Sequence, residues 1–496
     1  MSTSPWLAID ESAPVPGRVE RESLHDGVRI QSIRYFSHTL GDFSLEMAAF
    51  LALPPGPGPH PALLHLHGGA QSAKAEIALA WAQKGYVTLC PDWSGPANTP
   101  QAAHATRWPE NTPPTHAVNL DAAEATIGHI VRAVRHGISL LAALPEVRQD
   151  RIGMVGISWG GFMTWLVNGT DSRLRTAIAV YGSGRSDSVT MSPSWRAHFQ
   201  PESVAATQNA PILHLNGTHD FFGHLSTSEA LLKKVGPGAR RLYVPNEDHG
   251  LNDAARESAW AWLNRHLTGD GTLPPEPDIR PATGKRFFHA RSMDRTAVWR
   301  EVPADGLPET GCLFSTESHP DGLTLSSPVR VLPPEPLPPT PTLWDHTLHG
   351  TDGLFLRWEQ DNLAIHAPAK ARLVSGEQGV TFSPPVPSFQ VFLRCEPTPA
   401  TSHEPLHLTL TAPAGTRIRL RAYAGPEINE DTAQDYPEQV CDRNGPQTVR
   451  FTPNQEAPPN ARGVLSLQLL TDPIPEDAII ALQSLRAGSN PRNPTS

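Results

Sequence analysis

Apolar positions between about residues 27 and 268 switch repeatedly between strand-like alternation and a helical period. Short apolar runs such as ALLHLHGG and YVTLCPDW are separated by amphipathic stretches such as AKAEIALAWAQKG. This order predicts an α/β fold with a doubly wound, mostly parallel sheet of eight strands, the first two forming an antiparallel edge. In such a sheet a site is expected at the carboxyl ends of the strands.

Two longer segments stand out within this region. Asp121 to Leu144 carries apolar residues at helical spacing, which predicts a long helix packed on the sheet. Ser94 to Thr115 is rich in Pro, Asn and Thr and has no period, which predicts a long loop. Loops of this length in a compact domain are often functional.

The chain changes character after Gly269. Two Pro-rich stretches, TLPPEPDI and PPEPLPPTPT, are typical of stiff connectors, and nine short alternating segments follow residue 343. We therefore expect an α/β domain over 1–269 and an all-β, jelly-roll-like sandwich over 343–496. The connector between them, 270–342, carries short strand candidates and belongs clearly to neither.

Composition narrows the possible partners. The 496 residues carry 40 Lys and Arg against 50 Asp and Glu, a net charge of −10, and no basic block, which argues against nucleic acid or a membrane surface as a partner. The four cysteines show no close spacing, so neither a zinc site nor a disulfide framework is predicted. The N-terminus lacks a signal-peptide pattern and no run of 18 apolar residues occurs, so a cytoplasmic protein is expected.

The stretch RIGMVGISWGGFMTW places a serine between glycines, after an apolar strand and before a helix. Gly156, Ser158 and Gly160 fit G-x-S-x-G, in which small residues permit the sharp turn that lifts a nucleophilic serine above the sheet. A serine needs a base and an orienting carboxylate, and later strands end at Asp220 and His249. The order Ser158, Asp220, His249 is the one that this geometry requires.

Other residues compete for two of these roles. Asp253 or Glu247 are alternatives for the acid, and His219 and His224 are alternatives for the base. His249 is favoured because it alone follows the last strand and precedes a helix.

The segment HLHGGAQS follows the third strand and predicts an oxyanion hole. The backbone N–H of Gly69 or Ala70 is expected to act with that of Trp159, the residue after the nucleophile. Trp159 is also a candidate for lining the acyl side of the pocket, with helix packing as the alternative.

Three residues near this loop are candidates for binding substrate: His67, Asp92 and Trp93. Each has a simpler interpretation: His67 positions the oxyanion loop by hydrogen bonding, and Asp92 and Trp93 close a turn. His65 and His67 share one face of a strand, but no third ligand is placed beside them, so no metal is expected.

The combination of HxHGG with GxSxGGxMT resembles the α/β-hydrolase superfamily over roughly residues 27–268. Within it, the chain is similar to the branch of dienelactone hydrolases, acetyl xylan esterases and prolyl-oligopeptidase-type peptidases. The resemblance implies a serine hydrolase that forms an acyl-enzyme on Ser158 without metal or cofactor. The peptidases carry a large domain before the hydrolase core, whereas about 26 residues precede it here.

A hydrolase core followed by a sandwich is also similar to the family of cocaine esterase and Xaa-Pro dipeptidyl-peptidases. That family inserts a large helical cap between nucleophile and acid, whereas this interval is 62 residues and leaves only Ser183 to Asn209 as a lid. The prediction is a serine esterase that acts on a small-molecule or carbohydrate ester, with deacetylation of a carbohydrate as the first guess. A serine peptidase and a non-catalytic binding protein are the alternatives, and the oligomeric state is open.

Overall fold

The computed structural model describes residues 5–93, 104–184, 191–295 and 297–334, together with shorter segments between residues 342 and 487. Its first part is a nine-stranded sheet in the order β1-β2-β3-β5-β4-β6-β7-β8-β9. The strands are β1 (Gly17–His25), β2 (Val28–Leu40), β3 (Phe43–Leu53), β4 (His60–Leu66), β5 (Val87–Pro91), β6 (Val147–Ile157), β7 (Leu174–Val180), β8 (Ile212–Gly217) and β9 (Ala239–Val244). The last six run parallel, and β1, β2 and β3 form an antiparallel edge.

The expected count of eight strands is therefore wrong by one. The additional strand is β1, which pairs with β2 at the sheet's edge and has every residue exposed. Its sequence GRVERESLH has no buried face, so the alternation of apolar and polar residues that marks a half-buried strand is missing.

The helices of this region are α1 (Ala75–Ala82), α2 (Thr126–Ala143), α3 (Trp159–Asn168), α4 (Pro193–Phe199), α5 (Leu225–Val235) and α6 (Asp253–Leu263). Helices α2 and α3 cover one face of the sheet, and α1 and α6 cover the other. The predicted helix from Asp121 starts only at Thr126. A turn precedes it, in which Asp121 accepts a hydrogen bond from Ala123 N–H and Ser194 Oγ accepts one from Ala122 N–H.

A small antiparallel sheet follows, made of β10 (Lys285–Ala290), β11 (Arg300–Val302), β12 (Cys312–Ser318), β13 (Thr324–Ser326) and β14 (Arg330–Val331). It shares an apolar cluster with the first region, since Phe288 and Phe314 pack in the same cluster as Trp165. Tyr243 of β9 also donates its backbone N–H to Ser326 Oγ at 2.9 Å. The connector predicted over 270–342 therefore contains strands that pack on the α/β region.

Two six-stranded antiparallel sheets make up the later segments. Their strands are β15 (Thr342–Asp345), β16 (Leu354–Phe355), β17 (Arg372–Gly376), β18 (Gly379–Ser383), β19 (Ser388–Arg394), β20 (Leu406–Ala412), β21 (Arg417–Ala424), β22 (Ala433–Asp435), β23 (Gln439–Val440), β24 (Gly445–Phe451), β25 (Arg462–Leu470) and β26 (Ala481–Ala487). One apolar cluster draws side chains from both sheets, for example Leu408 and Leu420. Within the described residues, no helix has the length and apolar character needed to cross a membrane.

Three histidines pack between β2 and α2. His38 Nδ1 lies 2.7 Å from Ser37 Oγ, and His38 Nε2 lies 3.0 Å from His129 Nδ1. Burial lowers the pKa of His38 to about 3 and that of His136 to about 4, and the charge of Arg132 adds to both shifts. These imidazoles are therefore neutral in the folded protein at pH 7.

Acid should destabilise the protein through these histidines. Below about pH 6.5 the unfolded chain binds protons that the folded chain excludes, so the free energy of unfolding falls as pH decreases, by about 1.4 kcal/mol per pH unit for each such group. We expect His38→Gln to lose less stability between pH 7 and pH 5 than the wild type, measured by urea denaturation. The exposed His25→Gln is the control, and an equal loss in His38→Gln would contradict the prediction.

Candidate active site

Ser158 lies on a sharp turn between β6 and α3. Its backbone has φ 58° and ψ −119°, a conformation that residues other than glycine rarely adopt. The turn is anchored by a 2.8 Å hydrogen bond from Ser158 N–H to the carbonyl of Val180 on the neighbouring strand β7. A strained, anchored serine at the carboxyl end of a central strand is typical of a functional site.

The glycines around Ser158 are required by close backbone packing. A Cβ on Gly156 would lie 2.1 Å from the carbonyl oxygen of Gly160. A Cβ on Gly160 would lie 2.5 Å from the carbonyl oxygen of Leu66, and one on Gly161 would lie 2.4 Å from that of Val180. Each glycine lets a different piece of backbone approach, so α3 can start directly above β6.

The structure brings Ser158, His249 and Asp220 together in one hydrogen-bonded chain. His249 Nε2 lies 2.8 Å from Ser158 Oγ, and His249 Nδ1 lies 2.6 Å from Asp220 Oδ2. All three residues follow the carboxyl ends of parallel strands.

The competing residues lie elsewhere. Asp253 starts α6 and pairs with Arg256 at 3.2 Å, and His224 precedes α5. His219 Nε2 donates to the carbonyl of Ala297 at 2.7 Å. Glu247 contributes its carbonyl oxygen, which accepts a hydrogen bond from the backbone N–H of His219.

Asp220 is completely buried but held in its ionised form. Burial opposes ionisation, yet His249 and the backbone N–H groups of Phe222 and Gly223 outweigh it and keep the pKa of Asp220 below its ordinary value. Because Asp220 stays charged, His249 keeps its Nδ1 proton towards Asp220 and leaves Nε2 free to accept a proton from Ser158.

Aromatic rings surround the imidazole of His249. The ring of Tyr181, which is fully buried, lies 4.3 Å from it between centroids, and the ring of Phe221 lies at 4.7 Å. Phe222 meets the imidazole edge-on at 6.4 Å. The contacts with the buried rings of Tyr181 and Phe222 limit the rotation of His249 and keep its Nε2 directed at Ser158.

The segment after β4 turns beside Ser158. His67 Nδ1 donates to the carbonyl of Gly68 at 2.8 Å, and Gln71 Oε1 accepts from the N–H of Gly68 at 3.2 Å. Ala70 has a left-handed backbone, with φ 56°. A Cβ on Gly69 would lie only 2.7 Å from Trp159 Cδ1, so the loop passes closely over the residue that starts α3.

His67, Asp92 and Trp93 are buried rather than open to a ligand. The His67 ring stacks on Trp93 at 4.9 Å, and Trp93 Nε1 donates to the carbonyl of His67. Burial raises the pKa of Asp92, whose carboxylate accepts N–H groups from Thr106 and Ala73. Burial also lowers the pKa of His67 to about 4, so this imidazole is neutral at pH 7.

Trp159 is part of an aromatic cluster next to Ser158. Its ring lies 5.1 Å from the rings of Phe162 and Phe222 and 6.1 Å from that of His116, which is exposed. Of the predicted long loop, residues 94–103 lie outside the described part, and His116 follows the rest of it.

Replacing Gly69 with alanine should impair turnover specifically. The new methyl group would press on Trp159, which its aromatic neighbours hold in place, so the loop would move away from Ser158. Loss of one oxyanion donor typically lowers kcat about 10² to 10³-fold. Steady-state kinetics should show a lower kcat for Gly69→Ala and normal values for Gly306→Ala, whose added Cβ would meet only Pro303 at 4.0 Å. A normal kcat for Gly69→Ala would contradict this placement of the loop.

Sequence reasoning missed the support behind the two loops that carry Asp220 and His249. Arg295 Nε donates to the carbonyl of His219 at 2.7 Å. Asn246 Nδ2 donates to the carbonyl of Trp299, and Trp299 N–H donates back to Asn246 Oδ1, both at 2.8 Å. No motif marks these residues, because one partner in each bond is a backbone group.

Part of the chain is similar to known proteins. Residues 47–261 match the model of the dienelactone hydrolase family. A provisionally assigned carboxymethylenebutenolidase of Escherichia coli (strain K12) is 32% identical over 111 residues, which are 22% of this chain and 39% of that protein. The chain thus spans about two fifths of that relative's length.

Two further proteins are similar to parts of this chain. Dipeptidyl-peptidase 5 of Porphyromonas gingivalis is 23% identical over 262 residues, covering 45% of this chain and 36% of that protein. The structure of an acetyl xylan esterase from Paenibacillus sp. R4 aligns with 51% of this chain and 89% of its own, at 18% identity and a TM-score of 0.43. Among the described residues, no group of three His, Cys, Asp or Glu side chains is arranged to hold a metal ion.

Proposed function

We propose that the chain is a serine esterase of the α/β-hydrolase superfamily, starting from the match of residues 47–261 to the dienelactone hydrolase family. The continuous chain of hydrogen bonds from Asp220 through His249 to Ser158 carries the proposal. A serine on a strained turn, a histidine within 2.8 Å of its hydroxyl and a buried carboxylate behind that histidine together make an activated nucleophile.

In the first half of the reaction, Ser158 Oγ attacks the ester carbonyl while His249 Nε2 takes the hydroxyl proton. The C=O bond opens to an oxyanion, which N–H groups of Trp159 and of Gly69 or Ala70 stabilise. Trp159 is suited to this because it directly follows Ser158 and starts α3, where the helix dipole favours a developing negative charge. The tetrahedral intermediate then expels the alcohol, which receives the proton from His249.

In the second half, water replaces the alcohol. His249 takes a proton from water, the hydroxide attacks the acyl-enzyme, and Ser158 Oγ leaves with the proton returned by His249. Asp220 stays ionised throughout and stabilises the imidazolium in both halves. The products are one carboxylic acid and one alcohol, and no cofactor takes part.

We assign His67, Asp92 and Trp93 to support of the oxyanion loop rather than to substrate contact. All three are at least 97% buried. His67 bonds to the loop carbonyl of Gly68, and Asp92 fastens the segment at Thr106 to the end of β5. These contacts favour the simpler of the two interpretations that the sequence left open.

A short acyl group fits the surroundings of Ser158. The cluster of Trp159, Phe162 and Phe222 fills space beside the nucleophile, and neighbouring rings hold each member. An acetyl ester of a carbohydrate is our more specific proposal, together with a sandwich formed by the two later sheets as a sugar-binding part. Trp299 takes no part in sugar binding in this proposal, because its side chain is fully buried. The side chains of Trp344 and Trp358, two further candidates for stacking on a sugar, lie outside the described residues.

The test compares hydrolysis of p-nitrophenyl acetate, butyrate and octanoate with that of Ala-Pro-p-nitroanilide. We expect the acetate to be cleaved fastest and a fluorophosphonate to label Ser158, identified by peptide mapping. Faster cleavage of the anilide would make the protein a peptidase. Absence of labelling at Ser158 would favour a non-catalytic binding protein and overturn the proposal.

A further inference from the structure

Phe221 is an apolar residue in an unusual environment. Its relative exposure is 53%, and it is the one phenylalanine among the exposed large apolar residues of the described chain. Its neighbour Phe222 is 5% exposed and packs into the main apolar cluster against Trp159 and Phe162. The pair thus separates two roles: Phe222 belongs to the core, and Phe221 presents a ring to solvent.

The exposed ring lies directly beside the reacting groups. Phe221 follows Asp220 in the chain, and its ring centroid is 4.7 Å from that of His249, tilted by 45°. The buried face of the imidazole is already covered by Tyr181 at 4.3 Å. Phe221 therefore forms the solvent-side wall next to His249.

The proposed mechanism determines which half of an ester meets this wall. His249 Nε2 must come within hydrogen-bond distance of the leaving oxygen in order to protonate it. The alcohol half of the substrate is consequently held next to His249, where the exposed ring of Phe221 is the adjacent apolar surface. An aromatic face attracts flat rings, either by stacking of aryl groups or by contact with the C–H face of a sugar.

Resting on the proposed esterase function, we propose that Phe221 is a specificity-determining residue that selects esters whose leaving alcohol carries a ring able to lie on its face. Branched, non-planar alcohols of similar acidity lose this contact. The acyl half of the substrate is unaffected, since it lies on the side of Ser158 away from the leaving oxygen.

The experiment compares kcat/KM for phenyl acetate and hexafluoroisopropyl acetate, whose alcohols have similar acidity but different shapes. Phe221→Ala should lower kcat/KM for phenyl acetate about tenfold, mainly through KM, and change that for the other acetate less than twofold. Phe221→Trp should restore the preference. Val331→Ala, which shortens an exposed apolar side chain of β14, should leave both rates unchanged.

An acetylated methyl glucoside separates the two kinds of ring. A tenfold loss on this substrate in Phe221→Ala would extend the class to sugars, and a loss confined to phenyl acetate would restrict it to aryl alcohols. Equal losses on all esters would mean that Phe221 acts only by positioning His249, and unchanged rates would mean that it contacts no substrate. Either of these two results would overturn the inference.

Labelling kinetics distinguish failure of the inference from failure of the function. An aryl phosphonate and a fluorophosphonate with the same alkyl group should both label Ser158, and only the first should react more slowly in Phe221→Ala. If both label at rates that do not depend on Phe221, the inference alone falls. If neither probe labels Ser158, the result contradicts both the proposed function and the inference that rests on it.

Discussion

Asp220→Asn is expected to lower kcat about 10⁴-fold while leaving the fold intact. The asparagine carbonyl can still accept the N–H groups of Phe222 and Gly223, so its amide NH₂ would face His249 Nδ1. That nitrogen would then have to be unprotonated, which places the ring proton on Nε2. With its proton there, His249 cannot accept the proton of Ser158, so the nucleophile is no longer activated.

Steady-state kinetics on p-nitrophenyl acetate measure this loss, with circular dichroism as the check on folding. Ser158→Ala sets the lower limit of activity, since removing the nucleophile of such a site costs about 10⁶-fold in kcat. Asp253→Asn is the matched control, because that carboxylate pairs with Arg256 on α6 rather than with His249. A large loss in Asp253→Asn together with a small one in Asp220→Asn would exchange the roles of the two acids.

Gly156→Ala is expected to destabilise the protein by about 3 kcal/mol or more, which is at the upper end of overpacking effects. The added Cβ would lie 2.1 Å from the carbonyl oxygen of Gly160 and 2.3 Å from Thr164 Oγ1. Relief would require moving the first turn of α3 away from β6. Ser158 sits in that turn, so activity should fall together with stability.

Chemical denaturation of the variant tests this expectation. Gly238→Ala is the control, since it lies in a turn where no atom comes within 4 Å of the added Cβ. Such a change should alter the free energy of unfolding by no more than about 0.5 kcal/mol. Wild-type stability in Gly156→Ala would mean that the turn can be rebuilt without glycine.

The parts of the fold that the sequence predicted are those with buried apolar side chains. Strands β4 to β9 are apolar runs between helices, and the nucleophile turn has a pattern imposed by backbone crowding. Strand β1 escaped prediction because none of its residues is buried. The start of α2 was misplaced because hydrogen bonds to side chains, among them that of Ser194, hold a turn where the apolar period alone favours helix.

Some features of the proposed site could likewise be predicted from the sequence, and others could not. Ser158, Asp220 and His249 were predictable because each follows a strand that is itself visible in the sequence. The exposure of Phe221 was not predictable, because two adjacent phenylalanines both look like core residues in the sequence. Only the loop geometry shows that Phe222 is buried and Phe221 is exposed. The hydrogen bonds of Arg295 and Trp299 could not be predicted from the sequence either. Each joins a side chain to a backbone group about 50 to 75 residues away.

The hydrogen bonds that support the loops of Asp220 and His249 limit where this chain can be fused to another C-terminal part during evolution. The family match ends at residue 261, but His219 and Asn246 depend on partners between residues 295 and 299. A fusion that replaced everything after Gly269 with an unrelated tail would keep Ser158, Asp220 and His249. It would lose the groups that bond to the loops of Asp220 and His249 at His219 and Asn246. The smallest unit that keeps these contacts thus extends through the small sheet to Val331. We expect relatives with a different C-terminal part to have their fusion points beyond this residue.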